Sequence, residues 1–264
     1  MKHVLVTGGT GNLGRWVVEY LLQKNYAVGV LSSRTGVLLE NGVTVFKGDL
    51  AANTGLNEAT AEADIVIHCA SNPRNFEETD VVGTKNLLNA INRTRTRHFV
   101  YISIVGVDKS SYPYYQAKYR VEKLIANSGV PYTLLRTTQF HSFILNIAQP
   151  FVQEPVDGII TIPAGMQFQS IDIREVAERL VSVAESPLGL LRDFGGPEVL
   201  PFEEMVKRYL AATDNDMAVR TADIAGERYN LFRSGINLCP EHADGTITWN
   251  HFLEEQVRAS KSRI

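Results

Sequence analysis

Lys2-His3-Val4-Leu5-Val6-Thr7-Gly8-Gly9-Thr10-Gly11-Asn12-Leu13-Gly14 is the stretch whose reading decides the fold. Lys2 to Thr7 is a short, β-branched and apolar run of the kind that forms a buried parallel strand. The glycines follow at once, and Arg15 to Leu22 then shows helical periodicity. A strand that passes through a glycine-rich turn into a helix cradles phosphates in dinucleotide-binding folds. In that reading Gly8 permits the tight turn and Gly11 lets a pyrophosphate reach the backbone. Gly14 lets the helix pack closely on the strand. Unpaired N–H groups at the helix N-terminus complete the anion site. The alternative is an ordinary glycine-rich loop; a strand before it and a helix after it weigh against that.

Outward from this point, strands and helices alternate. Ala27 to Leu31, Val43 to Lys47, Asp64 to Ala70, Phe99 to Ser103 and Val130 to Arg136 read as further strands. Helices are expected over 79–90 and from Pro113 to about Asn127. That rhythm predicts an α/β fold: a Rossmann-type doubly wound parallel sheet, with a small C-terminal α/β substrate lobe. The whole chain reads as a single domain, with the sheet over about 1–138 and the lobe over about 139–264. In the lobe, helices are expected over 142–149, from Asp172, and near 201–212, 224–234 and 248–260. Short strands are expected at 158–163 and 190–194.

Bulk properties narrow the function classes. At 264 residues and 44% hydrophobic, the chain has material for a sizeable core. A formal net charge of −3 gives no reason to expect nucleic acid or an acidic membrane as partner. No apolar run approaches the length of a membrane span. Two cysteines, Cys69 and Cys239, are too few for a disulfide framework. The chain starts directly on its first strand, so no signal peptide is expected and a reducing cytoplasm is the consistent compartment. No metal-binding cluster stands out.

The candidate site residues lie at the C-terminal ends of the strands, where ligands of open α/β sheets collect. The second strand ends in Leu31-Ser32-Ser33-Arg34, without the acid that NAD-selecting folds place there. Hydroxyls and a guanidinium suit a 2′-phosphate, which points to NADP, with NAD less favoured; Arg34 as a solvated loop residue is the alternative. Asp49 ends the third strand and is either a ligand-edge residue or a turn cap. Ala70 and Ser71 are delivered to the same edge by the fourth strand. His68, within that strand, reads as a satisfied core histidine. Tyr114 and Lys118 are spaced i, i+4 and so share one face of a helix. A tyrosine hydroxyl beside an ammonium has its phenolate stabilised and becomes a usable acid or base. The pairs Tyr20 with Lys24 and Tyr119 with Lys123 have the same spacing. Only Tyr114 with Lys118 opens the helix after the fifth strand. His141, which follows Gln139 and Phe140, is either an acid/base group or a packing residue under the lobe.

Thr7 to Gly14, Gly48-Asp49-Leu50, Val82-Gly83-Thr84-Lys85-Asn86-Leu87-Leu88 and Tyr114-x-x-x-Lys118 together resemble the short-chain dehydrogenase/reductase superfamily. The branch resembled is the extended/atypical one that includes NmrA-like proteins. Val100 to Asp108, Ser128 to His141, Gly195 to Val199 and Asp244 to Trp249 extend the likeness over nearly the whole chain. The resemblance implies that Gly8, Gly11 and Gly14 hold the pyrophosphate, with Thr7, Gly9, Thr10, Asn12 and Leu13 as the other cofactor-binding residues of the turn. It implies Ser33 and Arg34 at the 2′-phosphate, Asp49 and Leu50 beside the adenine, and Ala70 and Ser71 along the ribose–nicotinamide path. Lys118 would bind the nicotinamide ribose and Ser103 would polarise a substrate carbonyl. This chain departs from the family pattern just beyond Ser103, where it has Ile104 and Val105 in place of a serine or threonine.

The function expected is that of an NADP-dependent oxidoreductase reducing a small carbonyl or quinone-like substrate. Tyr114 would be the proton donor, Lys118 would lower its pKa, and Ser103 or His141 would position the substrate. A non-catalytic NmrA-like NADP sensor with a protein partner is the second reading. A nucleotide-sugar epimerase or dehydratase is the third, disfavoured by the short Ser103–Tyr114 spacing.

Overall fold

The glycine-rich stretch folds as its pattern demands. In the computed structural model, which describes residues 1–34, 36 and 42–261, β1 (His3–Thr7) runs through the turn into α1 (Asn12–Gln23). β2 (Ala27–Ser32) and β3 (Val43–Lys47) follow, then the one-and-a-half-turn α2 (Leu56–Thr60) and β4 (Ile65–His68). After α3 (Gly83–Ala90) come β5 (His98–Ile104), α4 (Pro113–Ala126) and β6 (Tyr132–Thr137). The strands lie in the order β3-β2-β1-β4-β5-β6, and a two-residue strand, Gly189–Leu190, adds to β6 as the seventh. β1 runs parallel to both β2 and β4, β2 to β3, and β4 to β5. The short seventh strand is likewise parallel to β6. The sheet is Rossmann-type. Successive strands move one way from β1 to β3 and the other way from β4 to β6, so the topological switch falls between β1 and β4.

The chain divides into two compact units, and it passes between them more than once. One holds residues 1–103, 113–136 and 174–192, and the other 104–112, 137–173 and 193–264. The sequence suggests instead one boundary near residue 138. In the first unit, alternation along β1 turns Leu5 into a cluster with Leu31, Val66, Leu87, Phe99, Val121 and Ile125, all nearly or wholly buried. Each such side chain contributes about 1.5–3 kcal/mol on burial. α1 packs on β1 and β2 through Leu13, Val17, Val18 and Leu21. In the second unit Phe168 meets Phe202 and Phe232 at ring distances of 5.8 and 4.6 Å.

Several elements differ from the sequence expectation. The segment expected as one helix over 79–90 opens as a π-helix, Glu77–Val82, before α3. The helix expected to stop at Gln149 runs His141–Gln153 with Pro150 inside it. Ala218–Ala222 forms a strand parallel to Ile159–Pro163, although Val219 is its one large apolar residue. The strand expected over 190–194 is confined to Gly189–Leu190, with Phe194 making an isolated bridge to Thr137. Among the described residues, no helix is long and apolar enough to cross a membrane.

His68 ties the strand ends together. Thr84 donates its hydroxyl proton to the carbonyl of Asp80 at 2.5 Å, so it accepts from His68 Nε2–H at 2.9 Å. Nδ1 then accepts the Thr7 hydroxyl at 2.6 Å, and Thr7 Oγ1 receives the Ala70 N–H at 3.4 Å. A neutral ring satisfies every partner. Burial, with the Lys118 charge in second place, pushes the His68 pKa down to about 3. In the unfolded chain it returns to about 6.5. Below about pH 6.5 the unfolded state therefore takes up a proton that the folded state refuses. Stability is expected to fall between about pH 6.5 and about pH 3, by roughly 1 kcal/mol per pH unit from this group. His98, also lowered by burial, acts in the same direction. Urea unfolding at about pH 7 and about pH 5 measures the slope, and His68→Gln should flatten it.

Candidate functional site

The turn between β1 and α1 is shaped by backbone approaches that side chains would block. Gly8 has φ +68°, and a Cβ there would lie 2.7 Å from the Ala70 backbone nitrogen. A Cβ on Gly14 would lie 2.1 Å from the Gly8 carbonyl oxygen. Gly11 N–H donates to that same carbonyl at 2.9 Å and so closes the turn. α1 starts at Asn12 with no side-chain cap and no acid in its first turn. Its first N–H groups and positive dipole end are thus left for an anion. A glycine cradle opening on an uncapped helix start fits the pyrophosphate of a dinucleotide. Gly9 and Thr10 lie on the turn, and Leu13 is buried beneath it. The Thr7 side chain is committed to His68 and Ala70.

At the end of β2, Arg34 is exposed, and its backbone N–H donates to Ser32 Oγ at 3.1 Å. Ser33 offers its carbonyl to Lys47 Nζ. Lys47 pairs with Ser32 in the parallel register of β2 and β3, which sets a second cation next to Ser33 and Arg34. The sequence reading missed it because a strand-terminal lysine looks like solvated surface; strand register was the missing signal. Asp49 Oδ1 accepts Ala52 N–H at 2.9 Å and caps that turn. Leu50 is buried in the core, and its carbonyl receives Asn86 Nδ2 at 2.8 Å.

Beyond β4 the structure joins four side chains in a line. Tyr114 Oη lies 2.8 Å from Ser71 Oγ, and Ser71 Oγ donates to Asp80 Oδ1 at 2.6 Å. Asp80 Oδ2 accepts Asn72 N–H at 3.0 Å, and Oδ1 is 3.8 Å from Lys118 Nζ. Asp80 is 1% and Lys118 3% exposed, so this ion pair lies inside the protein while Ser71 is at the surface. Lys118 also donates to the Ile102 carbonyl at 3.1 Å and lies 4.4 Å from the centre of the Tyr101 ring. The Tyr101 hydroxyl is buried and has no hydrogen-bond partner among the described residues. Gly8 meets this cluster through Ala70, the neighbour of Ser71.

The electrostatics of Tyr114 run against the sequence expectation. Burial and then the Asp80 carboxylate raise its pKa well above the ordinary tyrosine value, and only the Ser71 hydrogen bond works the other way. Lys118 is not among the groups that shift it. The Asp80 charge lies between the two in the hydrogen-bonded line, and burial lowers Lys118 itself while Asp80 opposes that. Tyr114 is therefore a phenol across the neutral range. Asp80 was not singled out from sequence, where it falls at the start of the helix expected over 79–90. The π-helix turns it inward.

Ser103 and His141 both lie inside the protein. Ser103 is 1% exposed, and its hydroxyl donates to Glu122 Oε1 at 2.5 Å. Glu122 in turn receives Arg136 Nε at 2.9 Å and Nη2 at 2.7 Å. The serine proton is thus given to a buried carboxylate. His141 is 1% exposed, with Nε2–H donating to the Ile247 carbonyl at 3.0 Å and Nδ1 2.8 Å from Ser170 Oγ. Trp249 and Phe252 pack on its ring at 5.7 and 5.1 Å. Both ring nitrogens are thus engaged within the second unit. Among the described residues, no group of three or more His, Cys, Asp or Glu could hold a metal ion.

A family profile described as NAD(P)H-binding matches residues 8–187. The photosystem II assembly factor Ycf39 of Cyanophora paradoxa is 26% identical over 193 residues, covering 69% of this chain and 60% of that protein. The matched stretches cover 36%, 60% and 37% of the first three curated relatives, less than two thirds of each. A UDP-glucose 4-epimerase from Thermotoga maritima superposes with a TM-score of 0.78 at 15% identity, over 99% of both chains. An NADPH-dependent quinone oxidoreductase from Escherichia coli superposes with a TM-score of 0.77 at 16% identity, over 96% of this chain and 99% of that one. At these identities the likeness is one of fold.

The placement of Ser103 is open to a direct check. Ser103→Ala removes a hydrogen bond to a buried charge and is expected to lower stability by about 1–2 kcal/mol in denaturant unfolding. NADPH affinity, followed by fluorescence, should stay as in the unaltered protein.

Proposed function

The chain belongs to the NAD(P)H-binding family, within the short-chain dehydrogenase/reductase superfamily, and on that premise we propose that it is an NADP-dependent oxidoreductase of a small carbonyl or quinone-like substrate. The observation that carries this reading is the Tyr114 phenol, hydrogen-bonded at the surface to Ser71 one residue beyond the Ala70 that abuts the glycine turn. A bound nicotinamide dinucleotide supplies the hydride. The chain's own task is to hold the substrate oxygen and move a proton at it. Tyr114, kept as a phenol by burial and Asp80, is the proton donor. Lys118, buried against Asp80, orients the nicotinamide ribose. Gly8, Gly11 and Gly14 carry the pyrophosphate, with the start of α1 behind them.

Arg34 and Lys47 support NADP over NAD. Both cations stand beside Ser33, where NAD-selecting folds carry an acid for the ribose hydroxyl. A guanidinium grips a phosphate with paired donors, which makes Arg34 the residue to test.

A regulator that reads NADP without turning it over is the second reading. Its support is the assembly factor among the relatives, together with the commitment of Ser103 to Glu122. Such a protein does not need a phenol at Tyr114.

NADPH absorbance, followed with benzoquinone, menadione and a panel of aldehydes and ketones, separates the two. Turnover that falls by about a hundredfold in Tyr114→Phe is expected of a proton donor. Tight NADPH binding with no turnover of any compound favours the regulator. Arg34→Ala should weaken NADPH binding by about tenfold or more and leave NADH nearly unchanged; equal losses would remove the 2′-phosphate assignment.

A further inference from the structure

An ionised carboxylate can only accept hydrogen bonds, and that fixes the protons of the line that ends on Asp80. Ser71 has one hydroxyl proton, and it is given to Asp80 Oδ1 at 2.6 Å. The 2.8 Å contact between Ser71 Oγ and Tyr114 Oη must then be made by the Tyr114 proton. Tyr114 consequently turns its only proton inward and presents lone pairs outward. An oxygen so arranged is set to receive a proton from a hydroxyl group, and it donates to a carbonyl once its own proton turns outward.

Resting on the reading of Tyr114 as the proton-carrying group, we propose that Asp80, acting through the Ser71 hydroxyl, sets the direction in which Tyr114 moves a proton. With Asp80 ionised the line takes a proton from a substrate alcohol. With a proton held on Asp80 the line reverses, and Tyr114 presents its proton to a carbonyl. Asp80 and Ser71 are positioning residues in this scheme, because neither reacts with the substrate.

The transfers balance. In oxidation the alcohol O–H bond breaks as a new O–H bond forms at Tyr114 Oη. The proton formerly on Tyr114 passes to Ser71 Oγ, and the one formerly on Ser71 passes to Asp80 Oδ1. The electron pair leaves the carbinol carbon with the hydride, which the oxidised dinucleotide accepts. One proton is left on Asp80, and reduction returns it by the same route. Three groups on the neighbouring elements act on Asp80: Lys118 at 3.8 Å, Asn72 N–H at 3.0 Å, and Tyr101, whose hydroxyl feels the Asp80 charge. Lys118 also feels Cys69 and Glu122 and acts on His68. Ser71 is exposed, so its hydroxyl links the buried carboxylate to the surface.

The test uses the full chain bound to NADP⁺ and labelled with [13Cζ]tyrosine. The Tyr114 resonance is identified by its loss in Tyr114→Phe. In the unaltered protein this phenol should stay protonated well above pH 10. Asp80→Asn should lower its titration midpoint by about one pH unit or more, and Ser71→Ala should move it in the opposite direction. Ser71 is at the surface, so its variant reads the coupling even if Asp80→Asn does not fold. Midpoints unchanged in the folded variants overturn the proposal, whether or not a substrate has been found. With a substrate pair in hand, Asp80→Asn should slow alcohol oxidation about tenfold more than carbonyl reduction, in kcat and not in KM. Equal slowing of both directions also overturns it. Absence of all turnover, with the resonance shifts intact, counts against the oxidoreductase reading and leaves the Asp80–Ser71–Tyr114 coupling standing.

Discussion

The carbonyl of Gly8 is the point on which the rest of the first unit depends. Gly11 N–H is bonded to it, and Gly14 approaches it more closely than any side chain permits. α1 is thereby held against the end of β1 with its first N–H groups uncapped. Gly8 itself abuts Ala70, so the turn and the end of β4 are set by one another. His68 adds a second tie, reaching from Thr7 at the end of β1 to Thr84 in α3. Two strands and two helices meet there through backbone contacts and one neutral imidazole. The topological switch between β1 and β4 is therefore a rigid edge, which is what a site needs if phosphates and a reacting group are to keep a fixed separation.

How much of this was legible in the sequence follows from the kind of signal each residue leaves. Gly8 and Gly14 were readable because their spacing records backbone constraints that only glycine meets. The strands β1 to β6 were readable because two-sided burial makes them continuous apolar runs. Tyr114 and Lys118 were found by position, at the start of the helix after β5. Asp80 was missed because a π-helix leaves no mark in an amphipathic pattern, and that irregularity is what buries it. Lys47 was missed because its neighbour Ser33 is fixed by the register of β2 and β3, a long-range fact. Ser103 and His141 were assigned from their place at strand ends. Their partners, Glu122 nineteen residues on and Ile247 in a distant segment, are not predictable from local sequence.

Among the described residues of the first unit are two buried charged arrangements, and they differ in geometry. Arg136 and Glu122 meet through two parallel N–H···O contacts, with Ser103 on the same carboxylate. Paired donors and acceptors in a fixed fork compensate most of the lost hydration. That arrangement braces β5, α4 and β6.

Asp80 and Lys118 are not matched in this way. Their separation is 3.8 Å, the ammonium spends a hydrogen bond on a backbone carbonyl, and the nearby Tyr101 hydroxyl is left without a partner among the described residues. A buried ion pair of loose geometry beside an unsatisfied phenol is a poor source of stability, since desolvation of both charges is not repaid by close contact. A well-packed apolar pair in the same volume would serve the fold as well or better. The line nonetheless runs unbroken from this pair to an exposed serine and on to a phenol at the ligand edge of the sheet. Charges that cost stability and connect to a surface hydroxyl are the kind of arrangement found at functional sites, and the proton at Tyr114 is where the proposed role would act.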